Sequence, residues 1–110
     1  MKYLCLVYSE EERLGELSDA ECYDVSESLR RSGHRIAAEA LHPVSTATTV
    51  RVRNGSVSIT DGPFAETKEQ LAGFYLIDAT DLDDALRVAA KIPAARVGCV
   101  EVRPVRELRP

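Results

Sequence analysis

A chain of 110 residues has room for one domain around one hydrophobic core, and 45% hydrophobic with 29% charged residues is the balance of an ordinary globular protein. The formal net charge of -4 argues against the broad basic surface that direct nucleic-acid or membrane partners require. Three cysteines, Cys5, Cys22 and Cys99, have no CxxC or Cys-His spacing, so neither a disulfide framework nor a zinc site is expected.

Residues Lys2 to Tyr8 put Tyr3, Cys5 and Val7 on one apolar face and Leu4, Leu6 and Tyr8 on the other, the pattern of a central strand covered on both sides. The run is too short and too weakly basic for a signal peptide or a membrane span, and cytoplasmic residence is the expectation. A thiol at Cys5 is expected to pack rather than react. Ser9 to Glu16, polar and acidic, predicts a loop overhanging a cleft or a plain solvated connector.

Ser18-Asp19-Ala20-Glu21 is a capping-box pattern, with Leu17 and Cys22 as its staple. It starts a helix that runs to Arg31 or Ser32 and stops at Gly33, with Arg30 and Arg31 at the end where positive charge suits the helix dipole. Its inward stripe of Cys22, Val25, Ser26 and Leu29 is modest. Ile36 to His42 predicts the next strand, closed by Pro43. Thr46 to Arg53 and Ser56 to Thr60 flank Asn54-Gly55, the pairing preferred in a type I′ hairpin. A two-residue turn there pairs Arg53 with Ser56, Val52 with Val57, Arg51 with Ser58 and Val50 with Ile59, which gathers four apolar side chains on one face.

Asp61-Gly62-Pro63 ends that strand in a sharp turn, because glycine accepts positive φ and proline keeps the preceding residue out of the helical region. Asp61 there either braces its own turn or serves a pocket. Glu66 to Gln70 carries good helix formers and predicts one short helical turn. Leu71 to Ile77 is apolar without alternation and predicts an interior strand, with Gly73 marking a close backbone approach or a bulge. Asp81 caps a second helix, with Asp83 and Asp84 in its first turn and Leu82, Ala85, Leu86, Ala89 and Ala90 on its core face. After a loop from Pro93 to Arg96, Val97 to Arg103 is the last strand, and the charged, proline-bounded residues 105 to 110 form a tail on a single domain spanning 1 to 104. Glycine-rich phosphate loops, metal-ligand clusters and Ser-His-Asp or activated-cysteine patterns are not recognisable, and no cofactor is expected.

The order strand, helix, strand, hairpin, strand, helix, strand predicts an α+β domain, ferredoxin-like in outline, with helices on one face of a mainly antiparallel sheet. The words DGPFAETKEQL, from Asp61 to Leu71, and GFYLI, from Gly73 to Ile77, with STATTVR from Ser45 to Arg51 upstream, resemble the YCII-related family and in particular its DGPF branch. The resemblance implies the same ferredoxin-like fold, commonly paired into a dimeric α+β barrel, and hence a homodimer. Two modest helices leave the second faces of the central strands in want of such a cover. It also implies an active-site cleft with histidine and aspartate as acid and base. Asp61 carries over directly as the candidate base or orienter, while the first helix lacks the histidine of other branches; of the two histidines present, His34 beyond Gly33 and His42 before Pro43, His42 is the candidate catalytic one. Around them Arg51, Phe64, Glu66 and Lys68 are the candidate contacts for a small-molecule ligand. The alternative is a non-catalytic regulatory or sensor dimer, since DGPF-type proteins are often encoded beside extracytoplasmic-function sigma factors.

Overall fold

The first strand, β1 (Lys2–Ser9), organises the domain, as its two apolar faces require. In the computed structural model, which describes residues 1–110, it lies between β5 (Gln70–Asp78) and β6 (Gly98–Pro104), with β2 (Arg35–Ala40) on the outer edge of β5. The sheet order β2-β5-β1-β6 is antiparallel throughout, so β1 and β5 are the interior pair expected of them. With its helices, this is an α+β, ferredoxin-like arrangement.

Two helices supply the core. Helix α2 (Asp19–Arg31) starts at Ser18, whose side chain accepts from the Glu21 amide, and ends before Gly33 at φ +83°. Only half of the capping box forms, because the Glu21 carboxylate turns to Arg96, 2.6 Å away, instead of back to its own helix start. Helix α3 (Leu82–Ala89) starts at Asp81, which accepts from the Asp84 amide. Leu29, Ala85, Val88 and Ala89 from these helices pack on Tyr3, Cys5, Val7 and Ile77 of the sheet.

Several local expectations change, among them the core face of α3, where Ala85, Val88 and Ala89 are buried while Leu82, Leu86 and Ala90 are exposed. Ser9 to Glu16 is not all loop: Ser9 is the buried end of β1, and the helix formers Glu11–Leu14 make the short helix α1. Glu66 to Gln70 makes no helical turn. There the Thr67 hydroxyl donates to Glu69 O at 2.7 Å and the Gln70 amide to Thr67 O at 2.8 Å, so side chains take carbonyls that a helix would use. The strand expected to reach His42 ends at Ala40, and His42 lies in the irregular chain before a short 3₁₀ turn at Val44–Thr46.

Strands β3 (Thr48–Arg53) and β4 (Ser56–Asp61) pair in the register that Asn54-Gly55 dictates, Val50 with Ile59 and Val52 with Val57. Asn54 at φ +51° and Gly55 at φ +77° both occupy the left-handed region, as a type I′ turn demands. Gly55→Val is therefore expected to destabilise the hairpin by about 1 kcal/mol or more, read as faster amide exchange in β3 and β4; exchange equal to wild type would show that the turn does not hold the register. This ribbon does not join the main sheet. It contributes to a radius of gyration of 15.7 Å, where about 13 Å is usual for this length.

Candidate functional site

Where β1 ends, Ser9 is fully buried, its hydroxyl 3.1 Å from Glu10 O and 3.3 Å from Val97 O. This anchor sends Glu10, Glu11 and Glu12 outward as one wall of a cleft of about 480 Å³, whose lining is completed by Val44, Lys68 and Gln70. Glu11 Oε1 accepts from the Val44 amide at 2.9 Å, which ties α1 to the 3₁₀ turn. Across the cleft Lys68 Nζ lies 3.6 Å from Glu10 Oε1, with Lys68 87% exposed, so the pair is solvated and contributes little to stability. Gln70 spends its Nε2 on Thr67 O, and its Oε1 is buried without a hydrogen-bond partner.

The residues singled out in the sequence are distributed around this cleft and the hairpin. Lys68 alone of them lines the cleft. Asp61 closes β4, and its carboxylate makes no hydrogen bond or ion pair within the chain. The turn after it is held without that side chain: the Gly62 amide donates to Ala47 O at 2.7 Å, and the Thr49 hydroxyl donates to Gly62 O at 2.8 Å. Asp61 is therefore not the brace of its own turn. Arg51 Nη2 donates to Phe64 O at 3.2 Å and fixes the loop backbone, while the Phe64 ring is 76% exposed. Glu66 and His42 are exposed. The structure thus joins Arg51 to the Phe64 loop and Lys68 to the cleft, and it forms no Asp61–His42 contact within one chain.

The model of the YCII-related domain matches residues 1–109. The chain belongs to the YCII-related domain family. An uncharacterised protein of Rhizobium meliloti (strain 1021) is 39% identical over the whole of this chain and 96% of its own length. A stretch covering 74% of the chain is also 37% identical to the small ribosomal subunit protein uS2 of Saccharolobus solfataricus, of which it spans 34%, so that similarity is local.

This YCII-related chain also assembles a cluster that no motif announces. His34 Nδ1 lies 2.8 Å from the Ser32 hydroxyl, and His34 Nε2 lies 3.3 Å from both carboxylate oxygens of Asp84. The three border a concavity of about 260 Å³ beside Met1, Asp78 and Thr80. The Thr80 amide, foremost, holds the Asp84 carboxyl below its ordinary range, with His34 and Arg87 assisting and partial burial opposing. Serine, imidazole and carboxylate in a row suggest nucleophilic chemistry, but the neighbouring amides of Gly33, His34, Ala79 and Thr80 are all already donating. None is left to stabilise an oxyanion, and the Ser32 hydroxyl is itself within reach of Leu29 O at 3.0 Å. The cluster acts as a brace between the end of α2 and the start of α3. No signal in the sequence announced it: the strand order of the folded sheet sets the start of β2 beside the end of β5, through the bond from the Asp78 amide to His34 O. As for the thiols, burial pushes Cys5 up to about 11, and Cys22 and Cys99 are raised as well, so none offers a thiolate at neutral pH.

Proposed function

We propose that this YCII-related domain, as a member of the DGPF branch, binds a small polar molecule in the cleft between Glu10–Glu12 and Lys68–Gln70. The observation that carries this reading is the cleft of about 480 Å³ itself, large enough for a small ligand, where the exposed Lys68 ammonium stands across from the carboxylates of Glu10–Glu12. A ligand with N–H or O–H groups for the glutamate wall and one acidic group to replace Glu10 on Lys68 suits the lining. Arg51, Phe64 and Glu66 supply the surrounding loop, and Asp61 with His42 are the acid and base should the bound molecule be turned over. Three free thiols suit a reducing cytoplasm.

Lys68→Met keeps the aliphatic stem and removes the charge, and it is expected to weaken an acidic ligand found in a thermal-shift screen about tenfold while the fold persists. Asp61→Asn is expected to fold and to abolish turnover, because an amide cannot act as a base. If both variants bind and process that ligand as wild type does, the cleft reading fails and the regulatory reading takes its place.

A further inference from the structure

Between two anchors near its start the chain leaves the body of the domain. Ser9 is fully buried at the end of β1 and Leu17 packs on the core, yet residues 10–16 between them bury no side chain fully: Glu10 and Leu14 are half-buried and the others are exposed. The segment is bonded mainly to itself. The Arg13 amide donates to Glu10 O and the Glu16 amide to Arg13 O, both at 3.0 Å, and Arg13 Nε donates to Glu16 Oε2 at 2.9 Å. One helical turn of this length does not hold in water unaided, so contacts with the rest of the chain decide where the segment lies.

Two polar contacts cross from it to distant elements, and they are unequal. The Val44 amide donates to Glu11 Oε1 at 2.9 Å, a charge-assisted bond from the first residue of the 3₁₀ turn, whose N–H has no partner within that turn. Glu10 Oε1 lies 3.6 Å from Lys68 Nζ, beyond hydrogen-bonding distance and open to solvent. The strong contact ties the segment to the far side of the cleft. The weak one sets a carboxylate of the protein against the cation of the cleft lining.

We propose that residues 10–16 are a flap on the cleft, hinged at Ser9 and Leu17 and latched shut by Glu11 on the Val44 amide, and that Glu10 holds Lys68 in the place of a ligand's acidic group. Opening breaks these two contacts and uncovers little apolar surface, because α1 has no buried residue, so its cost is essentially that of the latch. An acidic molecule then competes only with the weak Glu10 contact for Lys68, and the latch recloses beside it. The flap and its latch rest on these contacts alone; the part played by Glu10 rests on the cleft reading above.

Trypsin cleavage of the full chain after Arg13, followed by mass, reports the opening, and amide exchange in β1 and β5 checks the fold. Glu11→Ala is expected to speed this cleavage about tenfold, on the scale of one hydrogen bond to a charged group, while β1 and β5 exchange as in wild type. Glu11→Gln keeps an oxygen for the Val44 amide and is expected to retain most of the protection. Cleavage of Glu11→Ala within about twofold of wild type overturns the latch. Equal acceleration in both variants also overturns it, since the effect then belongs to the charge and not to the bond. Glycerate, with a carboxylate for Lys68 and hydroxyls for the glutamates, is the probe for Glu10. Calorimetry is expected to show Glu10→Gln binding it about threefold more tightly than wild type, because the competing carboxylate is gone. Equal or weaker binding by Glu10→Gln overturns the stand-in role and leaves the cleft reading; binding by neither protein overturns both. The latch is judged by Arg13 cleavage without any ligand, so its failure and that of the cleft reading are distinguishable.

Discussion

Gly98→Ala is expected to cost about 3 kcal/mol or more, at the upper end of what overpacking does. A Cβ at this position would overlap Tyr8 O and sit 2.9 Å from both Cα and Cβ of Ser9. Two of these are backbone atoms of the central strand, and Ser9, with no exposure, has nowhere to go. Relief therefore has to come from separating β6 from β1, which also loosens Ser9 and the wall of glutamates that follows it. Gly73→Ala meets Glu39 O at 2.7 Å but on the edge strand β2, which can yield outward, so its loss is expected to be smaller. Urea unfolding of the two variants checks the order, and a Gly98→Ala protein within about 0.5 kcal/mol of wild type would refute the close approach.

Ile77→Ala is expected to cost about 3 kcal/mol, within the 2 to 5 kcal/mol range for truncating a buried isoleucine. Ile77 has no exposure, lies opposite Tyr3 across β1 and β5, and belongs to a core in which only 15 of 110 residues are buried. Against a domain stability of about 5 to 15 kcal/mol, such a loss removes a large share. The chemical-denaturation midpoint should fall with the slope unchanged. A fall corresponding to less than about 1 kcal/mol would mean that the helices close over the vacated space.

Much of the local structure is legible because its cause lies within a few residues. Asn54-Gly55 sets the hairpin register, since only residues tolerant of positive φ make that turn, and Ser18, Gly33 and Asp81 bound the two main helices through bonds or angles of their own. Gly73 in an apolar run correctly marks a close approach, which proves to be to Glu39 O. Where local chemistry has a competitor, the reading changes. Thr67 and Gln70 divert carbonyls from a helical turn, and Arg96, 75 residues away, draws Glu21 from its capping box.

The candidate site divides the same way. Lys68 is legible as a cleft residue because the motif around it sits at the start of an interior strand, whereas Glu10, Glu11 and Gln70 join it only through the packing of α1 against the Val44 turn and the anchoring of Ser9. By itself the sequence determined the order of the six strands and the two main helices, the N-caps of those helices, the hairpin and the two-faced character of β1 and β5, all of which follow from backbone angles and side-chain alternation. Only the tertiary structure decided which face of those strands the helices cover, that the hairpin stands apart with Asp61 on its bare apolar side, and that His34 meets Asp84 across 50 residues. The physical reason is that alternation shows that a face is apolar, while the strand order and the packing of distant elements determine what lies against it.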